Sequence, residues 1–352
     1  MGLAIAYNSP RQPDAPIYPP YLRYWVHYRS RILYAPVALA TYLHFAIPSP
    51  ACMTTPFQTL IQLAEPFLPS WGWLVTAATT VGTLVAAYFL LTYHLAKRAW
   101  RLKFKGSRIS VFEPQLKRLR HAGSLLAVDL VGHGESEVSS EWEPYTTPSL
   151  LDDLDEVINQ HPGRRLVLIG HSYGSCLAVK LYPRVRDRVA GMVLIAAGDV
   201  THSPHVTRLL RAPEVIIDLF RMLDRYGGTE STSVRRMIYT AGASSALLDQ
   251  QLYWNESSRT SVFRRTMLGM DWLHTEDLRA VACPLLLLPG EFDPVHPVSC
   301  SYAIRECVAT KRVTIVVAHQ AAHQVMLEKP ELTNTEILRF VGEDCGYPEL
   351  AD

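Results

Sequence analysis

The stretch LVLIGHSYGSCLAV, residues 166–179, decides how the chain is read. Four apolar residues run into Gly170-His171-Ser172-Tyr173-Gly174, and small apolar residues follow. The first part has the character of a buried strand and the last that of a packed helix. A serine between two glycines at such a junction sits on a strained turn. Neighbouring side chains would clash there, and the bend pushes the hydroxyl out at the carboxyl edge of a sheet. The helix that follows offers backbone N–H groups and positive potential to a developing oxyanion.

Working outward from this turn, the chain alternates strands and helices from residue 107 onward. FEPQLKRLRHAG (112–123) reads as an amphipathic helix ended by Gly123. SLLAVDL (124–130) is a buried strand followed by the turn VGHGES, and LLDDLDEVINQH (150–161) is a helix. VAGMVLIAA (189–197), CPLLLLPG (283–290) and RVTIVVA (312–318) are further strands, and NTEILRFV (334–341) is a closing helix. Strands that are apolar throughout imply a mostly parallel sheet covered by helices on both faces, an α/β fold. Residues from about 200 to 279 break the rhythm with helical segments and read as a cap.

A serine nucleophile needs a base, and the base needs an orienting acid. EFDPVHP (291–297) places Asp293 on the loop after one strand, with Glu291 as the fallback acid. HQAAHQVMLEKP (319–330) offers His319 and His323 after the next. The order serine, acid, histidine is the one expected when a G-x-S-x-G turn carries the nucleophile. Of the other histidines, His171 reads as a support of the turn, His133 as structural beside a turn held by Asp129, and His296 as a surface residue.

The chain from about residue 107 to its end resembles the α/β-hydrolase fold superfamily. VDLVGHGES, GHSYG, PGEFDPVHP and AAHQVMLEKPELTN are similar to its aspartate-to-serine turn, nucleophile elbow, acid loop and histidine loop. The elbow GHSYG together with HQVMLEKPELTN is most similar to the α/β-hydrolase domain-containing protein 8 type. The resemblance implies Ser172 as nucleophile, Asp293 as orienting acid and His323 as general base, with the Tyr173 N–H as one oxyanion donor. It implies no cofactor and no metal.

One part departs from the family. The strand before the first helix normally ends in His-Gly and a glycine-rich turn, which supplies the second oxyanion donor. Here the sequence is AWRLKFKGSRISVFEPQL, with no His-Gly, and Gly106 and Ser107 are the candidate remnants of that turn. The fold is expected to lack its first strands. The missing strand is normally central, between SLLAVDL and RLVLIG, so its loss would strand backbone groups in the core. Losing one oxyanion donor costs roughly 3 kcal/mol of barrier. A slow site, a substitute strand in WRLKF, or a sequence lacking an exon are all open readings.

The first hundred residues differ. Residues 1–30 are rich in Pro and Tyr and read as irregular, and the start MGLAIA lacks the Ser or Thr of a myristoylation signal at its sixth position. Residues 66–96 contain no Asp, Glu, Lys or Arg. Within them, residues 71–93 are long enough to cross a bilayer core, for which about 20 apolar residues suffice. The alternative is a buried hydrophobic helix. Lys97, Arg98, Arg101, Lys103 and Lys105 follow, which puts the catalytic part on the cytosolic side of a membrane. Residues 32–47 form a second apolar run, either another span or a buried or interfacial helix. The apolar run at 71–93 starts too far in for a cleaved signal peptide. Residues 1–106 are thus expected to form an N-terminal membrane region.

Net charge is +1, and neither a long basic run nor aromatic-basic interleaving occurs, so nucleic acid is not an expected partner. The six cysteines are scattered without CxxC, which argues against zinc and against a disulfide framework. The expected activity is cleavage of a small-molecule or lipid ester by a membrane-anchored serine hydrolase. The cap stretch VTRLLRAPEVIIDLFRMLDRYG (206–227) reads as a lid over an apolar pocket rather than a membrane-binding helix. A non-catalytic membrane adaptor is the competing reading, and acyl transfer a lesser one. Peptidase or haloperoxidase chemistry would use the same triad. Dehalogenases and epoxide hydrolases use Asp as nucleophile, against which Ser172 argues.

Overall fold

The computed structural model describes residues 2–7, 79–83, 85, 111–120, 124–161, 165–199 and 204–347. The chain divides into two units, residues 1–15 with 107–352, and residues 16–106. In the second, residues 79–83 are helical, with Thr83 Oγ1 donating to the Thr79 carbonyl at 2.8 Å. No helix among the described residues is long and apolar enough to cross a membrane. The span expected at 32–47, the rest of that expected at 71–93, the segment WRLKF, Gly106 and Ser107 all lie outside the described residues.

The first unit is built on a six-stranded sheet of order β2-β1-β3-β4-β5-β6. The strands are β1 (Gly2–Tyr7), β2 (Ser124–Val128), β3 (Leu166–His171), β4 (Val189–Ile195), β5 (Leu285–Leu288) and β6 (Val313–Ile315). β3 to β6 pair in parallel. β1 pairs antiparallel with both of its neighbours, Leu3 facing Val128 on one side and Gly170 on the other.

This corrects the expectation of irregular structure at residues 2–7; the rest of 1–30 lies outside the described residues. The six residues of β1, GLAIAY, fill the central slot for which the sequence offered only WRLKF. Two strands about 10 Å apart, each with one edge open, need a strand between them to satisfy their N–H and C=O groups. β1 does this although it enters with reversed direction.

The apolar runs divide by alternate residues. Leu166 and Leu168 of β3, Met192 and Leu194 of β4, and Leu285 and Leu287 of β5 pack into one core layer. Val167 and Ile169, Val193 and Ile195, and Leu286 and Leu288 pack into the other. This is the period-2 geometry of a strand covered on both sides, and it explains why the runs lack polar residues. Helices α2 (Thr147–Asn159) and α3 (Tyr173–Val185) cover the first face through Leu150, Leu154, Ile158, Leu177 and Leu181. Helix α1 (Glu113–Leu119) and the C-terminal helix α12 (Pro330–Glu343) cover the second, through Phe112, Leu119, Ile337 and Phe340.

Between β4 and β5 the chain forms the cap. Its helices are α4 (Pro204–Leu210), α5 (Glu214–Arg225), α6 (Thr232–Met237), α7 (Ser245–Ser257), α8 (Thr260–Gly269) and α9 (Thr275–Arg279). Helix α10 (Val298–Cys307) follows the acid loop, and the short α11 (Val325–Glu328) follows the histidine loop.

Candidate active site

Ser172 lies between β3 and α3 with φ 54° and ψ −120°, a left-handed φ that L-residues other than glycine rarely adopt. The turn is held from both sides. The Ser172 N–H donates to the Ile195 carbonyl at 3.0 Å, and Ser175 Oγ donates to the Gly170 carbonyl at 2.9 Å. Gly170 is required here, because a Cβ on it would lie 2.4 Å from the Gly174 carbonyl oxygen.

The parallel strands bring three loops to the same edge. His323, on the loop after β6, places Nε2 2.8 Å from Ser172 Oγ and Nδ1 2.8 Å from Asp293 Oδ2. Asp293 lies on the loop after β5. Its other oxygen, Oδ1, accepts the backbone N–H groups of Val295 at 2.7 Å and His296 at 3.0 Å. All three side chains are buried. The relay carries a definite proton order. An acceptor-only carboxylate holds the proton on His323 Nδ1, which leaves Nε2 to take one from the serine hydroxyl.

Two further histidines support this arrangement. His171 donates from Nε2 to the His323 carbonyl at 2.8 Å, which ties the elbow to the histidine loop. Burial, with His323 nearby, holds its imidazole well below the ordinary histidine value, so it stays neutral. His296 was expected at the surface but is fully buried. It follows Asp293 by three residues and donates from Nδ1 to the Ala196 carbonyl at 2.7 Å, because the turn that aims Asp293 also points this ring inward. Burial pushes its pKa down to about 4.

The alternatives separate in space. His319 is largely exposed and pairs with Glu291, Nδ1 to Oε2 3.4 Å, away from the relay. Glu291 also accepts the Gln320 N–H at 2.9 Å, so the fallback acid is a loop brace. Asp129 accepts the Glu135 N–H at 3.0 Å and its carbonyl accepts from Ser136 at 2.6 Å, which closes the turn after β2. His133 donates to the Val131 carbonyl within that turn.

Tyr173 is the first residue of α3, where the helix leaves N–H groups without intrahelical partners. Its ring is buried, and its hydroxyl shares a 2.5 Å hydrogen bond with Thr147 Oγ1. Burial raises that phenol to about 12.

Glu328 is a residue whose role the sequence did not reveal. Oε1 accepts the Ala322 N–H at 2.9 Å and Oε2 the Tyr239 N–H at 2.7 Å, so one carboxylate joins the histidine loop to the segment after α6. The Gln324 N–H adds a bond to the Met237 carbonyl at 2.9 Å. Burial pushes the Glu328 carboxyl up to about 7, against the pull of those backbone N–H groups. The only signal was its place five residues after His323, where LEKP is common in hydrolases.

Among the described residues, Asp293, His296 and His323 bring ligand-type atoms within 4.8 Å of one another. Hydrogen bonds already join Asp293 Oδ2 to His323 Nδ1 and His296 Nδ1 to Ala196. A cation there would have to break the relay.

A sheet of this order, with serine, acid and histidine on the loops after β3, β5 and β6, defines the α/β-hydrolase fold class. The model of the family described as "Serine aminopeptidase, S33" matches residues 106–330, and the chain belongs to that family of α/β hydrolases. Protein ABHD8 of Mus musculus is 25% identical over 240 residues, 67% of this chain and 53% of that protein. Monoglyceride lipase of Homo sapiens is 23% identical over 220 residues, 60% of this chain and 69% of that one. The chain spans about half or less of the length of the leading curated relatives it matches. A thermophilic esterase from Thermogutta terrifontis shares the fold with a TM-score of 0.56 and 22% identity, over 69% of this chain and 86% of the esterase.

Proposed function

We propose that this α/β hydrolase is a membrane-anchored serine esterase acting on a carboxylic ester of lipid type, with its hydrolase part on the cytosolic side. The observation that carries the reading is the unbroken relay from Ser172 through His323 to Asp293. Ser172 Oγ attacks the ester carbonyl while His323 Nε2 takes its proton. The Tyr173 N–H and the positive end of α3 stabilise the oxyanion. His323 returns the proton to the departing alkoxide, leaving an acyl group on Ser172. Water, deprotonated by His323, then attacks the acyl-enzyme and releases the acid. The lipid class is supported by the apolar run at 71–93 and by the likeness to a monoglyceride lipase.

Two alternatives are weighed by particular observations. The missing His-Gly turn favours an adaptor that retains the elbow as a relic; the assembled relay opposes it. Acyl transfer draws on the acid five residues after His323. Both oxygens of Glu328 already accept backbone N–H groups, which gives it a bracing role instead.

The test is labelling by a fluorophosphonate probe in detergent-solubilised membranes. Wild type is expected to label and Ser172→Ala to lose the label. A folded wild-type protein that does not label refutes the hydrolase reading and favours the adaptor.

A further inference from the structure

Helix α5 is amphipathic, but it is mounted with its polar side toward the protein. Arg221 donates to Thr260 Oγ1 at 2.7 Å and to the Ser258 and Asn255 carbonyls at 3.0 and 3.2 Å. Arg225 donates to the Asn255 carbonyl at 2.8 Å. Asp218 accepts from Thr260, and Glu214 lies 3.8 Å from Arg264. These contacts fix the helix to the end of α7 and to α8 by its charged face.

The opposite face is apolar and open to solvent. Val215, Leu219 and Leu223 follow at four-residue steps, and Ile216 and Phe220 lie beside them. Val215 is 70% exposed, Phe220 54%, Leu223 49%, Leu219 47% and Ile216 39%, whereas only Ile217 of this helix is buried. A helix on a solvated domain normally turns such an arc toward the core. The reading as a lid left open which face is inside, and the arginine contacts put the polar face there. An exposed contiguous apolar patch marks a surface that is covered in use.

We propose that the outward face of α5 is a lipid-docking surface, which seats the cap in the boundary between headgroups and acyl chains of a bilayer. The proposal rests on the membrane-anchored reading above and extends it. Three features favour lipid over a protein partner. The arc carries no side-chain donor or acceptor, whereas protein interfaces carry about one hydrogen bond per 100–200 Å². On α4, Val206 is exposed as well, and Arg208 and Arg211 of the same segment are exposed charges suited to anionic headgroups. Finally, 17 residues (94–110) separate the apolar run from Val111, where the described residues of the hydrolase unit resume after β1. At 3.3–3.6 Å each they reach about 60 Å at most, so the domain stays near the bilayer in which that run sits.

The experiment uses the full chain in phosphatidylcholine–phosphatidylserine vesicles, with Cys52, Cys300 and Cys307 replaced by serine. A nitrobenzoxadiazole fluorophore is attached through Leu219→Cys, or through Arg305→Cys on α10 as the reference. Quenching by acyl-chain spin-labelled lipid is expected to be several-fold stronger at position 219, with protection from iodide. Iodide quenching equal to that at 305 overturns the proposal. Protection from both quenchers also overturns it, because protein then covers the face. In parallel, Val215→Ser, Leu219→Ser and Phe220→Ser are combined. This variant is expected to keep fluorophosphonate labelling and hydrolysis of a soluble short-chain aryl ester. Its turnover of a long-chain acylglycerol in vesicles is expected to fall about tenfold or more; unchanged vesicle turnover overturns the docking role. Loss of labelling in wild type would instead sink the esterase reading, leaving the quenching result to judge the surface.

Discussion

Proline at Ala4 tests the central strand. Ala4 faces Ala127 on β2 and Ile169 on β3, so it lies inside the sheet with a strand on each side. Proline removes one ladder N–H, leaves its partner carbonyl unsatisfied and fits only at sheet edges or bulges. The lost bond and the stranded acceptor together cost roughly 3–5 kcal/mol, a large part of a typical domain's 5–15. For a domain of this size each kcal/mol moves the melting temperature by about 2–4 °C, so the expected fall is on the order of 10 °C. Because β3 leads directly into Ser172, a disturbed sheet also disturbs the elbow. The assay is thermal unfolding of the purified full chain in detergent, with fluorophosphonate labelling of Ser172 on the same samples. A melting temperature within a degree or two of wild type and unchanged labelling would mean that β1 does not occupy the slot. The substitution Trp100→Pro discriminates the alternative: if WRLKF fills the slot instead, that change and not Ala4→Pro carries the damage.

The other predictions concern the site. Asp293→Asn should lower kcat by about 10⁴-fold with little loss of stability. The amide oxygen stays on the Val295 and His296 N–H groups, its NH2 faces His323 Nδ1, and the ring flips to the tautomer that cannot take the serine proton. A kcat within tenfold of wild type would contradict this, as read with a soluble aryl ester. Glu328→Gln should remove a pH dependence of stability. The carboxyl rises from 4.5 to about 7 on folding, so the folded chain binds more protons than the unfolded one between those values. That contribution is therefore complete below about 4.5 and is lost as pH rises through about 7, at most about 3 kcal/mol. Unfolding free energy against pH in wild type and variant measures it, and parallel curves would refute it.

The fold was legible where sequence and structure share a period. The runs at 166–169, 192–195 and 285–288 are apolar at every position because both faces are covered, and each leads to a loop. Ser172, Asp293 and His323 were legible because turn chemistry and chain order identify them without knowledge of contacts. What was illegible is long-range. GLAIAY carries no mark of pairing with strands more than a hundred residues away. Nothing in VHP says that His296 turns inward, since burial there follows from the Asp293 turn. The orientation of α5 was open for a related reason: amphipathicity gives two faces, and only the partners of Arg221 and Arg225 decide which is inside.

The end of β4 contributes no relay side chain, yet it holds the site together. Its Ile195 carbonyl receives the Ser172 N–H, and the Ala196 carbonyl receives His296 Nδ1. Ala196 itself donates to the Leu288 carbonyl at 3.0 Å, which links it to the strand that leads to Asp293. Nucleophile and acid are therefore positioned against one another through two carbonyls. Ala196 has φ 46°, is fully buried, and so occupies a left-handed conformation with no room beside it. A β-branched residue is strained there by roughly 1–2 kcal/mol before overpacking is counted. Ala196→Val should lower the melting temperature and move the Ala196 carbonyl away from His296. Ala196→Gly removes the left-handed strain and the methyl group together, while the carbonyl keeps its place. If the carbonyl pair sets the geometry, Ala196→Val loses kcat well beyond what its fraction unfolded explains and Ala196→Gly does not. If instead both variants lose kcat only in proportion to unfolding, β4 serves the core alone, and the spacing of Ser172 from Asp293 is set by the sheet without help from its edge.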